Sequence, residues 1–133
     1  MPFYKSADLK GTPDVKNPAI IMKQLGGELM KVGIVTYQHG EGPPPHYHPN
    51  DEQFIYMLEG RAAFLLSDQI EVVGPGDLLH IPRNEVHGIH VAEGPVRFFA
   101  CKSPAGSGKL SEDYTEAPKA TELAQRLANA AAG

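Results

Sequence analysis

Hydrophobic residues in this chain occur in short runs separated by glycine, proline, asparagine or aspartate. Runs of this kind, bounded by turn-forming residues, are typical of β-strands. A glycine pair, Gly26-Gly27, predicts a hairpin between the first two runs. The predicted strands are Ile20–Leu25, Leu29–Gln38, Gln53–Glu59, Arg61–Leu66, Ile70–Val73, Leu78–Ile81, Val86–Val91 and Val96–Lys102.

The two ends of the chain lack this pattern. Residues 1–18 are polar and interrupted by glycine and proline, so we expect an N-terminal arm or edge segment. Residues 19–105 are expected to form a β-barrel. Residues 106–133 are expected to form a loop and then an alanine-rich helix over 118–132. The pattern therefore predicts an all-β domain with a short C-terminal helix.

Two predicted strand segments, Phe54–Leu58 and Ala62–Leu66, are apolar at odd and even positions alike. Alternate residues of a strand point to opposite faces, so both faces of these strands need to be covered. We expect one face to line a barrel interior and the other to pack on a second layer or a second subunit. The outer residues Phe54, Tyr56 and Leu58 predict a homodimer.

Length and charge narrow the function classes. The chain has 133 residues, which suits one domain, and its net charge is −4 with scattered basic residues. A nucleic-acid groove or an anionic-membrane surface is therefore disfavoured. Cys101 is the single cysteine, which excludes an internal disulfide, and we expect it to be a small buried hydrophobe. We found neither a signal peptide pattern nor a membrane-spanning run, so we expect a cytoplasmic protein.

Two of the six histidines are placed to share a ligand. His46 and His48 lie two positions apart, so on a strand they point to the same face with Cα atoms about 6.6 Å apart. Two imidazoles at that spacing can converge on one metal ion, about 2.1 Å from each nitrogen. The pair predicts a metal site.

A longer pattern surrounds this pair and resembles a known family. It runs Gly40-X5-His46-X-His48-X4-Gln53-X6-Gly60 and then Gly76-X5-Pro82-X4-His87. These segments resemble the two motifs of the cupin superfamily, G-X5-H-X-H-X(3,4)-E-X6-G and G-X5-P-X-G-X2-H-X3-N. The resemblance implies a small jelly-roll β-barrel that holds one divalent transition metal per chain, with Fe, Mn, Ni, Co and Zn as candidates. Carried over by position, His46, His48 and His87 are metal ligands.

The acidic position of the first motif leaves two candidates for a fourth ligand. Gln53 keeps the spacing to Gly60, whereas Glu52 keeps the shorter spacer after His48. These neighbours point to opposite faces of a strand, so only one can face the metal. The spacing to Gly60 favours Gln53, and a β-bulge would reverse the choice.

The second motif departs from the family pattern at two positions. Asn84 stands where glycine is usual, and asparagine tolerates a left-handed turn better than most residues do. Val91 replaces an asparagine and removes a polar group near the metal. We expect His39, His80 and His90 to be exposed, packed or hydrogen-bonded rather than ligands.

No catalytic residue can be assigned from the sequence. The candidates for acid, base or substrate-binding groups near the metal are Tyr37, Tyr56, Glu59, Arg61, Asp77, Arg83 and Glu85.

The resemblance implies a function class rather than a reaction. A neutral glutamine among the ligands leaves the metal's charge uncompensated, which suits Lewis-acid chemistry. We therefore expect a metal-dependent enzyme that acts on a sugar acid, keto-enol or phenolic, similar to the single-domain cupins that convert unsaturated uronates to keto acids. The alternatives are an iron-dependent dioxygenase of the quercetinase or diketone-cleaving kind, and a non-enzymatic cupin that binds or senses a small ligand.

Overall fold

The computed structural model describes residues 3–14, 20–38 and 42–132, and strands dominate it. A single turn of 3-10 helix, Ser6–Asp8, lies in the N-terminal segment. The strands and helix that follow are β1 (Thr12–Pro13), β2 (Ile20–Gly26), β3 (Lys31–Tyr37), β4 (His46–Tyr47), β5 (Glu52–Leu66), β6 (Gln69–Val73), β7 (Leu78–Ile81), β8 (His87–Ser103), β9 (Thr115–Glu116) and α1 (Ala120–Ala132).

All the strand pairs in the described chain are antiparallel and belong to one curled sheet. The order along its main path is β1-β2-β3-β8-β4-β9, while β5 lies along β8 and also pairs with β6 and β7. β2 and β3 form the predicted hairpin, with Gly26 opposite Lys31. This arrangement is a jelly-roll, and it confirms the predicted all-β fold with a short C-terminal helix.

The two central strands are longer than the sequence pattern predicts. The predicted strands Gln53–Glu59 and Arg61–Leu66 are one strand, β5, and Val86–Val91 and Val96–Lys102 are both parts of β8. Glycine and proline suggested turns at these breaks. In the structure β5 and β8 pair on both sides of the breaks, with register irregularities between Met57 and Ala62.

A bend at Gly60 replaces the expected turn. Gly60 has φ +80°, and a Cβ atom there would lie 2.3 Å from the carbonyl oxygen of Pro95. Only glycine fits such a close approach of two strands in that conformation. β5 therefore continues through Gly60, and its regular pairing with β8 resumes at Ala62.

Most of the side chains inside the barrel are apolar. On the outside of the barrel, the helix α1 covers only the second half of β5. Met57, Phe64, Ile81 and Phe98 belong to the internal core. On the outside, Leu127 of α1 packs with Ala63 and Leu65. The outer residues of the first half of β5 have no such cover and are exposed in this chain: Phe54 (49%), Tyr56 (41%) and Leu58 (37%).

Several smaller predictions can be checked against the structure. Asn84 has φ +67°, as expected for a left-handed turn. The prediction for Cys101 was wrong, because the residue is half-buried and its thiol lies 3.8 Å from the sulfur of Met30. The expected N-terminal arm and the 106–133 loop each contain a short strand, β1 and β9. Within the described residues, α1 is too short and too polar to cross a membrane.

Candidate metal centre

Three of the predicted ligands meet inside the barrel. His46 lies on β4, His48 follows it, and His87 begins β8 directly opposite His46. One ring nitrogen from each residue lies within 4.8 Å of the corresponding nitrogens of the other two. All three residues are buried, with exposures of 7%, 4% and 5%. Sheet pairing therefore joins two histidines of the first motif to the one in the second.

Backbone carbonyl groups fix the protonation of all three rings. The Nδ1 atoms of His46, His48 and His87 lie 2.8, 3.0 and 3.1 Å from the carbonyl oxygens of Pro44, Asp113 and Glu85 respectively. A carbonyl oxygen only accepts hydrogen bonds, so each Nδ1 carries the proton and each Nε2 carries a lone pair. A second partner on the far ring nitrogen is the arrangement that orients metal-binding histidines.

Burial keeps these rings neutral. It is the largest cause in each case, and it lowers the pKa of His46 to about 2, of His48 to about 3 and of His87 to about 4. The charges of neighbouring histidines and of Lys102 act in the same direction on His46 and His48. Neutral imidazole is the form that binds a metal ion, so the site is prepared for one at neutral pH.

Gln53 faces the cavity and Glu52 does not. Gln53 is 6% exposed and lines the same cavity as the histidines. Its Oε1 is buried and has no hydrogen-bond donor among the residues that the structure describes. Glu52 lies on the outer surface, where His80 Nε2 is 2.7 Å from its carboxylate. An unpaired buried oxygen beside three imidazole lone pairs fits a divalent transition metal.

The rest of the cavity is mostly apolar, with a few polar groups. Ile20, Val35, Ile55 and Phe98 are among its walls. Tyr37 also lines it, and burial, followed by the charge of Asp14, raises the pKa of that phenol well above its usual range. Tyr37 therefore keeps its proton at neutral pH.

Tyr114 covers one of the histidines. Its ring stacks on His46, with centroids 4.4 Å apart and an angle of 29° between the planes. Tyr114 belongs to the segment that follows β8, and this segment is held to the barrel where Asp113 accepts hydrogen bonds from Asn50. The same segment supplies the carbonyl oxygen that orients His48.

A buried lysine lies beside the histidines. Lys102 on β8 is 5% exposed and lines the cavity. Its Nζ donates a hydrogen bond to the carbonyl oxygen of Leu110 and lies 3.4 Å from His48 Nε2. Burial lowers the pKa of Lys102 to about 8, with the charge of Asp51 opposing that shift. We call His46, His48, Gln53, His87 and Lys102 the lumen cluster.

A second buried lysine lies on the neighbouring strand. Lys31 on β3 is opposite Lys102 and is fully buried. Its Nζ is 2.9 Å from Asp51 and 2.8 Å from Glu112. The hydrogen bond from Lys31 is the largest of several causes that lower the pKa of Glu112 to about 2. We call Lys31, Asp51 and Glu112 the ion-pair cluster.

Of the candidate acid, base and substrate-binding groups, only Tyr37 lines this cavity. Asp77 closes its turn, accepting a hydrogen bond of 2.8 Å from the backbone N–H of Gly74. The central strands β5 and β8 are joined on the protein surface by two exposed ion pairs, Arg61–Glu93 and Arg97–Glu59. The candidates that lie outside the cavity are Tyr56, Glu59, Arg61, Asp77, Arg83 and Glu85. His39 lies outside the described residues.

Sequence reasoning missed four polar residues of the cavity, which are Asp14, Lys102, Ser111 and Tyr114. Lys102 could have been found from alternation, because it shares its parity with the inward-facing Phe98 and Ala100 on one strand. Asp14 and Tyr114 come from the terminal segments, where no periodicity marks an inward face.

Comparison with known proteins gives one family. The model of the cupin domain family, Cupin_2, matches residues 33–101. Quercetin 2,3-dioxygenase from Bacillus subtilis is 30% identical over 102 residues, which cover 62% of this chain. The match spans only 30% of that relative's length.

Two solved structures share the fold over most of their length. KdgF from Halomonas sp. has a TM-score of 0.71 at 23% identity, covering 78% of this chain and 94% of its own. The polyketide cyclase RemF from Streptomyces resistomycificus has a TM-score of 0.69 at 27% identity, covering 85% of this chain and 89% of its own.

Proposed function

This chain belongs to the cupin domain family, and we propose that it is an enzyme in which a divalent metal in the barrel acts as a Lewis acid on a small, oxygen-rich molecule. Sugar acids, keto-enols and phenolics are the substrate classes with suitable oxygen atoms. The observation that carries this proposal is the convergence of three buried histidines, with one ring nitrogen of each within 4.8 Å of the others and a carbonyl oxygen beside each Nδ1. Buried histidines whose far ring nitrogens are each held by a second partner, and whose near nitrogens converge, are a feature of metal sites rather than of packed cores.

The proposed ligands are His46, His48, His87 and Gln53. All four are neutral, so none offsets the double charge of the bound ion, which favours polarisation of a substrate oxygen. Because these ligands leave the double positive charge of the metal ion unreduced, we prefer a Lewis-acid reaction to a reaction that requires a negatively charged protein ligand on the metal.

The cavity walls would orient and shield a substrate. The apolar side chains around the site exclude water, which strengthens each electrostatic contact inside. Tyr37 keeps its proton and donates a hydrogen bond to a substrate oxygen. We assign no general base to the reaction.

Metal analysis tests this proposal directly. The wild-type protein, produced without a histidine tag, is compared with His48→Ala and Gln53→Ala. We expect about one metal ion per chain in the wild type, loss of the metal in His48→Ala and weaker binding in Gln53→Ala. His80→Ala is the matched control, because His80 binds Glu52 on the outer surface and its loss should leave the metal content unchanged.

Absence of metal from the wild type would contradict the proposal. The test includes reconstitution with Fe, Mn, Ni, Co and Zn, so a poor supply during expression cannot imitate a negative result. A barrel that takes up none of these ions would be a ligand-binding or sensor protein instead.

An iron-dependent dioxygenase is the second candidate. The similarity to quercetin 2,3-dioxygenase favours it, and histidine ligands suit iron as well as zinc or nickel. Oxygen consumption separates the two candidates: uptake of oxygen with a phenolic or diketone substrate would favour the dioxygenase, whereas isomerisation without uptake would favour the Lewis-acid enzyme.

We also propose a homodimer formed through the uncovered outer face of β5. Leu78 on β7 is 72% exposed and Phe99 on β8 is 38% exposed, and both adjoin Phe54, Tyr56 and Leu58 in one apolar patch. Patches of this kind mark interfaces more often than free surface. A second copy offers an identical apolar patch, which is what a two-fold interface requires.

Light scattering at micromolar concentration tests the dimer. We expect a dimer for the wild type and a monomer for Leu78→Glu, because a carboxylate would be buried unpaired in the interface. Val72→Glu is the control, since Val72 is 42% exposed but lies outside the patch. A wild-type monomer would contradict the interface. The cytoplasmic location stays a prediction.

A further inference from the structure

Lys102 is unusual because a charged side chain lies in a largely apolar cavity. It follows Phe98 and Ala100 on the inward side of β8 and is 5% exposed. It is also in register with Gln53 on one neighbouring strand and with Lys31 on the other. Burying a cation that makes no direct ion pair is costly, and the charge of Asp51 acts on Lys102 only from a distance.

The two buried lysines have different partners. Lys31 contacts two carboxylates, at 2.9 and 2.8 Å. Lys102 contacts only neutral acceptors, the carbonyl oxygen of Leu110 and Nε2 of His48, and no carboxylate of the described chain is in ion-pair contact with it. Lys102 therefore carries a charge that the protein does not neutralise by direct contact.

A bound metal would give the cavity an excess of positive charge. Among the described residues that line the cavity, Asp14 and Lys102 are the charged ones, and they cancel. The four proposed ligands are neutral, so a divalent ion would leave an excess of two positive charges. It would also bind the lone pair of His48 that now faces Lys102, placing two cations side by side. An anionic ligand bound between the metal ion and Lys102 would offset the excess positive charge and reduce the repulsion between the two cations.

We propose that Lys102 recognises the carboxylate of the substrate, so that this cavity takes small carboxylic acids rather than neutral phenolics. This inference rests on the metal site proposed above and narrows its substrate class. The ammonium group donates a charge-assisted hydrogen bond to a carboxylate oxygen, which is stronger than a bond between neutral groups. Lys102 is then a substrate-binding and specificity-determining residue.

Binding of a simple carboxylate to the cobalt-loaded protein tests the proposal. Acetate is titrated at constant ionic strength while the visible absorption of Co²⁺ is followed, with acetamide as its neutral analogue. We expect Lys102→Met to bind acetate at least tenfold more weakly than the wild type, with acetamide binding unchanged. Lys102→Arg, which keeps the charge, should retain part of the affinity.

Lys109→Met is the matched control. It changes the net charge by the same amount, but Lys109 is exposed and lies in the loop after β8. Its acetate affinity should equal that of the wild type. Cobalt stoichiometry is measured for every variant, which shows whether each still folds around the site. If Lys102→Met fails to fold, Lys102→Gln is used with the same expectation.

The outcomes separate the two proposals. Equal acetate affinity in the wild type and Lys102→Met, with cobalt bound to both, would overturn the role of Lys102 and leave the metal site intact. Failure of the wild type to bind cobalt or any other tested ion would overturn the metal site, and the present inference with it. Equal weakening by Lys109→Met would show a general charge effect and would also overturn it.

Discussion

The two buried polar clusters of this barrel lie side by side and are built on opposite principles. The ion-pair cluster contains its own counter-charges, because Lys31 lies between the carboxylates of Asp51 and Glu112. In the lumen cluster, no described residue donates a hydrogen bond to Oε1 of Gln53, and none forms an ion pair with Lys102. Both occupy inward positions of the same sheet.

This comparison distinguishes buried polar groups that stabilise the fold, as in the ion-pair cluster, from buried polar groups that bind a ligand, as proposed for the lumen cluster. A buried ion pair avoids a severe penalty only while both partners are present. A binding site keeps donors, acceptors and charge unmatched until the ligand supplies them. Burial alone would have classed Lys31 and Lys102 together, and only their partners distinguish them.

Breaking the ion-pair cluster should have the largest effect. Lys31→Met leaves the buried carboxylate of Asp51 without its cation, which should lower the free energy of unfolding by about 3 to 5 kcal/mol. Urea unfolding measures the change. Arg61→Met removes an exposed ion pair with Glu93 and should cost less than about 1 kcal/mol. A similar small loss for Lys31→Met would contradict the comparison.

As the pH falls, acid should begin to weaken the lumen cluster before it begins to weaken the ion-pair cluster, because the ordinary pKa of histidine lies above that of glutamate. The pKa of His87 is about 4 in the folded protein, against an ordinary value of 6.5, so the unfolded chain takes up this proton first as the pH falls. Stability from the neutral ring is therefore complete above pH 6.5 and is lost towards pH 4. This loss amounts to about 3 kcal/mol for His87 alone.

The carboxylate of Glu112 titrates lower. Its folded pKa is about 2, against an ordinary value of 4.5, so its contribution is present above pH 4.5 and is lost towards pH 2. Urea midpoints of the metal-free protein between pH 7 and about pH 2 measure both ranges. Glu112→Gln should reduce the loss of stability between pH 4.5 and pH 2. His87→Gln should reduce the loss of stability between pH 6.5 and pH 4. A single transition unaffected by either variant would count against this separation.

Completing the lumen cluster from within should have the smallest effect. Gln53→Glu places a carboxylate among the proposed ligands and in register with Lys102. We expect zinc affinity to rise about tenfold, because the carboxylate offsets part of the metal charge. Competition with a chelator of known affinity measures it. Glu52→Gln is the control, since its side chain points outward, and unchanged affinity in Gln53→Glu would mean that residue 53 is not a ligand.

Much of the fold could be predicted from the sequence because strand alternation and turn residues are local signals. The hairpin at Gly26-Gly27 and the left-handed turn at Asn84 follow directly from residue type. Strand continuity could not be predicted. Gly60 looks like a turn in the sequence, but in the structure it is a bend stabilised by a close approach to Pro95, which is distant in sequence.

The candidate site was predictable only in part, because contacts between residues that are distant in sequence leave no local signal. His46, His48 and His87 follow a spaced motif, and the spacing to Gly60 favoured Gln53 over Glu52. The partners of a buried charge depend on which strands become neighbours. The contrast between Lys31 and Lys102 is therefore a property of the assembled sheet, and the outward partner of Glu52, His80, is another.

The register between His46 and His87 also ties metal recognition to the order of folding. These residues face each other only after β4 has paired with β8, and β8 is itself held between β3 and β5. Such non-local pairing forms slowly, on the order of milliseconds to seconds in small β-proteins. An unfinished chain offers two nearby histidines at most. A metal ion would therefore bind tightly only when folding is complete. It would stabilise the folded barrel and slow its unfolding, rather than initiate its folding.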